Sequence, residues 1–131
     1  MTSTYAALNL TSEDDLQRQV VAHLASTLPT SCVIHHSPNE GQRKVAFKMK
    51  LKNMGTRYGW PDLEIFAPGM ATLSGKPEVF FIELKFGRGN LNGNQVNVRN
   101  ELIDAGFHWE LCRSVDEVKD FMERVIKPRG R

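Results

Sequence analysis

The segment from residue 79 to 112 constrains the fold of this chain most strongly. Residues 79–85 (VFFIELK) form its most β-prone run, and residues 108–112 read as a second strand. Between them, residues 94–105 carry apolar side chains at helical spacing, and Gly106 stops the predicted helix. A strand, a helix and a strand in this order form a right-handed βαβ unit whose strands are parallel neighbours. We therefore predict an α/β fold, with inward-facing helix residues Val98, Leu102 and Ile103.

The remaining elements extend this unit at both ends. Ser12 and the acidic residues after it are typical of a helix start, and a four-residue apolar repeat continues to Pro29. Strands are predicted at residues 32–36 and 63–66, and a helix at 42–54 that ends at Gly55. A glycine- and proline-containing connection at 68–77 joins two strands as a hairpin. The last helix starts at a predicted capping box, formed by Ser114 and Glu117.

The composition is that of one globular domain of 131 residues. We assign residues 1–11 to an N-terminal segment, 12–126 to the domain and 127–131 to a basic tail. No apolar run approaches the roughly 20 residues that span a bilayer, and no signal-peptide layout precedes Ser12. The two cysteines form neither a disulfide framework nor a CxxC zinc motif. We expect a cytoplasmic protein with no membrane partner.

Three charged residues lie where a buried sheet normally excludes charge. Asp62 begins one strand of the predicted hairpin, while Glu83 and Lys85 lie two residues apart on the other, and so on one face. A simple ion pair between Lys85 and Glu83 does not explain a second carboxylate arriving from the adjacent strand. Two converging carboxylates form an oxygen site suited to Mg²⁺ or Mn²⁺, and a lysine beside them suits phosphodiester hydrolysis.

Several motifs around these residues resemble one nuclease family. Pro61-Asp62 followed by Glu83-Leu84-Lys85 resembles the PD-(D/E)xK nuclease motif. Residues 54–63 (MGTRYGWPDL) resemble the G-x-x-x-G-x-P-D-L signature of the VRR-NUC (virus-type replication-repair nuclease) family, and residues 36–41 (HSPNEG) its P-N-x-G element. Residues 81–85 (FIELK), with Leu91 and Gln95, resemble its E-x-K…L-x-x-x-Q run, and residues 106–114 its last strand. This resemblance runs from about residue 12 to 118. It implies a restriction-endonuclease-like αβββαβ core, a mixed sheet flanked by helices.

The resemblance also implies roles for individual residues. Glu13, Asp62, Glu83 and the Leu84 carbonyl would hold Mg²⁺ or Mn²⁺. Lys85 would orient the attacking water, and Gln95 would position Lys85 or the phosphate. Three of these residues also have a simpler structural interpretation: Glu13 as a first-turn helix acid, Asp62 as a turn residue and Gln95 as a surface amide.

A basic segment precedes Asp62. Residues 41–61 contain six basic and no acidic residues, which is typical either of a solvated helix face or of a nucleic-acid contact. If this segment lies beside a nuclease site, the nucleic-acid interpretation predicts phosphate contacts by Lys44, Lys48, Lys52, Arg57, Arg88 and Asn39. Tyr58 and Trp60 either stack on an exposed base or pack on the sheet.

Together these features favour a metal-dependent, structure-selective DNA endonuclease. The expected form is a stand-alone Holliday-junction resolvase of phage or bacterial replication, recombination or repair, acting on four-way or other branched DNA as a homodimer. One alternative is a flap or nicking nuclease. Another is a catalytically silent nucleic-acid-binding module, although such a module has no use for Asp62, Glu83 and Lys85.

Overall fold

The computed structural model describes residues 12–38 and 45–130. The N-terminal segment 1–11 lies outside these ranges, as do Asn39, Lys44 and the first residues of the helix predicted from residue 42. The elements in chain order are α1 (Glu13–Thr27), β1 (Val33–His36), α2 (Val45–Asn53), β2 (Leu63–Ala67), a short 3-10 turn (Gly69–Ala71), β3 (Glu78–Leu84), α3 (Gly93–Asp104), β4 (His108–Cys112) and α4 (Val115–Val125).

The four strands form one mixed sheet in the order β1-β2-β3-β4. β1 pairs with β2, and β2 with β3, in antiparallel fashion, whereas β3 and β4 run parallel, with Phe80 opposite His108. The predicted parallel pairing across the βαβ unit is therefore confirmed. Helices flank the sheet, as predicted for the fold class.

The main core lies between one face of the sheet and helices α1 and α4. The four-residue repeat of α1 buries Leu16, Val20 and Leu24 completely, and Phe80 and Ile82 of β3 are equally buried. The Ser12 hydroxyl caps α1 by accepting a hydrogen bond from the Asp15 amide at 3.2 Å. The cap and the buried stripe together fix where α1 starts and which side faces the sheet.

Helix α3 covers the other face, over β3 and β4. Val98 and Leu102 pack there with Phe81, as part of a second apolar cluster. The prediction that Ile103 faces inward is wrong, because its side chain is 48% exposed. One residue after Leu102 is a rotation of about 100° around the helix, which takes Ile103 off the sheet.

Two helix starts differ in their caps. The Ser114 hydroxyl accepts from the Glu117 amide, but the Glu117 carboxylate accepts from the Arg113 amide, so the predicted capping box is only half formed. A complete capping box starts α3 instead, between Asn92 and Gln95. Across the described ranges, no helix has both the length and the apolar character to cross a membrane.

Candidate functional site

The β2–β3 register brings Asp62 and Glu83 together. Leu63 pairs with Ile82, so one further step toward the open end of the hairpin places Asp62 opposite Glu83. Residues opposite each other in an antiparallel pair share a face, with Cβ atoms about 5 Å apart. An Asp62 carboxylate oxygen also accepts a hydrogen bond from the Leu84 amide at 2.7 Å. Two carboxylates from neighbouring strands therefore meet, as the sequence predicts.

Glu83 is almost fully buried, with 3% of the residue exposed. One of its carboxylate oxygens accepts a hydrogen bond from the Gln95 side-chain nitrogen at 2.6 Å, and the other, Oε2, is buried with no hydrogen-bond partner. Burial and then the Asp62 charge raise the pKa of Glu83 to about 8, against a smaller lowering by Lys85. Burial also raises the pKa of Asp62. Without a cation, the pair therefore retains a proton at neutral pH.

Lys85 and Glu13 lie next to this pair. The Lys85 amino nitrogen is 4.0 Å from a carboxylate oxygen of Glu13, which comes from the first turn of α1. Only 14% of the Lys85 side chain is exposed, against 52% for Glu13. The structure thus brings Glu13 to the edge of the site, in contact with the lysine.

Gln95 occupies the start of α3 and serves two functions there. Its side-chain nitrogen donates to Glu83, and its side-chain oxygen accepts from the Asn92 amide at 2.9 Å. The sequence suggested a contact with Lys85 or a phosphate, whereas the contact in the structure is with Glu83. The capping box therefore connects the helix start to a candidate metal ligand.

The residues present fit a hard divalent cation. The unpartnered Glu83 oxygen and the adjacent Asp62 carboxylate are oxygen donors of the kind such a cation prefers, and Mg²⁺ sites commonly use only one or two carboxylates plus water and phosphate. Among residues 12–38 and 45–130, no cluster of three or more His, Cys, Asp or Glu residues could hold a metal ion. Ligand roles for Glu13 and the Leu84 carbonyl stay predictions.

These side chains line a cleft of about 450 Å³. Its walls include polar residues that the sequence did not single out, namely Ser37, Asn92 and Asn94. The position of Asn92 three residues before Gln95 has the spacing of a capping box, which is the signal that would have found it.

Two aromatic residues form part of the cleft wall. The Trp60 ring packs edge-on against Phe81 with centroids 5.6 Å apart, and its indole N–H donates to Glu64 at 3.2 Å. The Tyr58 hydroxyl donates a hydrogen bond to the Lys48 carbonyl oxygen, which connects the segment before β2 to helix α2. Of the two alternatives for Trp60, stacking on a base or packing on the sheet, the structure therefore shows packing on the sheet.

The basic residues do not share one environment. Lys48 lines the cleft, and Lys52 is exposed one helical turn later on α2, a helix with no buried residue in its described range. Arg57 instead forms an ion pair with Glu101 of α3. Arg88 is exposed in the turn after β3. Of the predicted phosphate contacts within the described ranges, Lys48 is the one that lines the cleft together with the carboxylate pair.

Comparisons with known proteins agree with this architecture. No protein-family model matches the sequence, and no curated protein matches it either. A solved structure described as a VRR_NUC domain protein superposes with a TM-score of 0.67, covering 89% of each chain at 24% sequence identity. The chain therefore has the VRR-NUC fold, in which helices flank a mixed four-stranded sheet.

Proposed function

We propose that this chain is a Mg²⁺- or Mn²⁺-dependent DNA endonuclease that cuts branched DNA, with the Holliday junction as its main substrate. One observation carries the proposal. The buried, unpartnered oxygen of Glu83 lies beside Asp62 and near Lys85 in a cleft, an arrangement that burial alone makes costly and that a cation stabilises.

Asp62 and Glu83 would hold the cation, with the Leu84 carbonyl and Glu13 as the further predicted ligands. When bound, the cation lowers the pKa of a water molecule and offsets charge on a phosphate. The orphaned Glu83 oxygen supports this assignment, because a buried carboxylate oxygen is stable only when something compensates its charge.

The chain's own residues supply the rest of the chemistry. Lys85 is largely buried and remains near the carboxylates, where its amino group orients the attacking water and stabilises negative charge at the scissile phosphate. Gln95 donates to Glu83 and fixes the direction of that carboxylate. Positioning of this kind is a large part of catalysis in a site with little covalent chemistry of its own.

Contacts to the DNA backbone would come from Lys48, Lys52 and Arg88, with Lys44 and Asn39 as further predicted contacts. Phosphate contacts by such side chains position a duplex without reading its sequence. Arg57 already forms an ion pair with Glu101, which makes it a weaker candidate than Lys48, Lys52 or Arg88. The absence of an obvious base-reading motif in the sequence favours recognition of DNA shape.

The proposed active form is a homodimer. A four-way junction has two equivalent strands to cut, and two copies related by a two-fold axis would supply one site to each. The proposed setting is the cytoplasm of a bacterium or of a phage-infected cell, in replication, recombination or repair.

A cleavage assay on defined substrates tests this proposal. The purified chain is incubated with a labelled four-way junction, a 5′ flap, a splayed arm or plain duplex, each with Mg²⁺, Mn²⁺ or EDTA. Glu83→Ala is the inactive variant. Its matched control is Glu110→Ala, a change at a β4 glutamate that forms an ion pair with Arg124 of α4.

The proposal predicts paired, symmetric cuts on the junction that disappear with EDTA and with Glu83→Ala but persist with Glu110→Ala. Single-strand cuts on flaps would retain the nuclease and contradict the junction assignment. DNA binding without any cutting would contradict the enzymatic assignment and favour a binding module. Sedimentation at assay concentration would show whether the active species is the dimer.

A further inference from the structure

We propose that Gly59 is a positioning residue of the carboxylate pair, acting through the first turn of α3 and Gln95. The inference rests on the proposed function, because it concerns how the candidate metal ligand Glu83 is oriented. Gly59 lies in the segment that leads to Asp62, and it packs directly on the backbone where α3 starts.

The contact leaves no room for a side chain. A Cβ on Gly59 would lie 2.4 Å from the carbonyl carbon of Asn94, 2.5 Å from the amide nitrogen of Gln95 and 2.6 Å from the Asn94 carbonyl oxygen. Non-bonded carbon atoms settle at about 3.5 Å or more. All three clashing atoms belong to the backbone, so rotation of a side chain cannot relieve them.

The segment that carries Gly59 is anchored on its other side. Pro61 is fully buried, Trp60 packs on Phe81, and Asp62 is held by the Leu84 amide. A Cβ at position 59 would therefore displace the start of α3, and the displacement needed is about 1 Å. The hydrogen bond from Gln95 to Glu83 is 2.6 Å long. Lengthening it by a similar amount would bring it to the limit beyond which a hydrogen bond contributes little.

The same chain segment contains a matched control. Gly55 and Gly59 both have positive φ, +103° and +82°, so an alanine at either position strains the backbone. A Cβ on Gly55 meets nothing within 4 Å, however. Gly55→Ala thus reproduces the conformational cost without the clash, and only Gly59→Ala adds contact with α3.

Two readouts on the full-length chain test the inference. The first is Mn²⁺ affinity by calorimetry, well below the melting temperature. We expect Gly59→Ala to bind Mn²⁺ at least about tenfold more weakly, as is typical when a residue orienting a ligand is lost, and Gly55→Ala to stay within about twofold of wild type. The second is metal-free: the Gln95 side-chain amide resonances should move toward exposed values in Gly59→Ala and not in Gly55→Ala.

If Gly59→Ala does not fold, the variant Gln95→Asn still tests the inference. This change withdraws the amide by one methylene without touching Gly59, and it should weaken Mn²⁺ binding to a similar extent. Wild-type affinity in Gln95→Asn, or unchanged Gln95 resonances in Gly59→Ala, would overturn the inference. A wild-type chain that binds no Mn²⁺ would instead overturn the proposed function, and the amide resonances would still decide whether Gly59 sets the contact.

Discussion

Gln95 donates a 2.6 Å hydrogen bond to one oxygen of Glu83 and leaves the other oxygen buried without a partner. The bond fixes the plane of the carboxylate, so the free oxygen has a defined direction. Because Asp62 stands across the β2–β3 hairpin, the negative charge of one carboxylate disfavours ionisation of the other, and the metal-free pair retains a proton at neutral pH. Under the proposed function, a bound divalent cation would take the place of that proton.

Lys85→Ala should abolish cutting and leave junction binding nearly intact. In the proposed mechanism the lysine stabilises charge that develops in the transition state, and removal of one such group typically costs about 100- to 1,000-fold in rate. Single-turnover cleavage and a gel-shift titration on the same junction measure the two properties. Lys119→Ala, which removes a lysine on α4, is the control, and full activity of Lys85→Ala would contradict the assignment.

Glu83→Gln should stabilise the metal-free protein at alkaline pH. The pKa of Glu83 is raised in the folded state to about 8, from about 4.3 when unfolded, so the folded chain binds more protons between these values. Its free energy of unfolding therefore falls as pH rises through that range, by up to about 1.4 kcal/mol per pH unit. The glutamine variant has no carboxyl group to ionise at this position. At pH 8 its free energy of unfolding should therefore exceed that of the wild-type chain by at least about 1 kcal/mol.

Urea unfolding in EDTA at pH 6 and pH 8 measures this difference. The gain should be smaller at pH 6, and Glu110→Gln should show neither the gain nor its pH dependence. Equal stability of Glu83→Gln and wild type at both pH values would mean that the carboxylate is not strained in the folded protein.

Divalent metal should stabilise the wild-type chain more strongly as pH rises. Binding must displace the proton that the Asp62–Glu83 pair retains, so the apparent affinity should increase by up to about tenfold per pH unit below pH 8. Thermal melts with Mn²⁺ at pH 6, 7 and 8 provide the measurement, since saturation at 100 times Kd adds about 2.7 kcal/mol. A metal-induced shift independent of pH, or one that persists in Glu83→Gln, would place the metal elsewhere.

Neutralising Lys48 and Lys52 together should weaken binding to every DNA structure and flatten its salt dependence. Each phosphate contact contributes about 0.9 to the slope of log affinity against log salt, so the double alanine variant should lose about 1.8. The control removes the same charge elsewhere, at Lys76 and Lys119, both exposed. An unchanged slope in the first variant would move the DNA surface away from α2.

Local sequence pattern was enough to predict much of this fold. The helix cap at Ser12, the repeat through Leu24 and the parallel β3–β4 pair each follow from a short segment and its spacing. The meeting of Asp62 with Glu83 follows from the hairpin, since register alone sets which residues face each other.

Other features depend on how α3 lies on the sheet, which no short pattern contains. The exposure of Ile103, the ion pair between Arg57 and Glu101 and the bond from Gln95 to Glu83 all result from the docking of that helix. Each joins residues that are far apart in sequence or depends on the helix rotation, so spacing rules could name the residues without naming their partners.

The two ends of the β2–β3 hairpin differ in whether they carry residues of the candidate site. Asp62 and Glu83 stand at its open end, while the connection from residue 68 to 77 closes the opposite end, and Ser74–Lys76 within it is exposed. Because five residue pairs from Leu63–Ile82 to Ala67–Glu78 hold the strand register, we expect a longer tip to leave the spacing of the two carboxylates unchanged. Insertion of a fluorophore or an affinity tag at this tip is therefore expected to leave the two carboxylates in place.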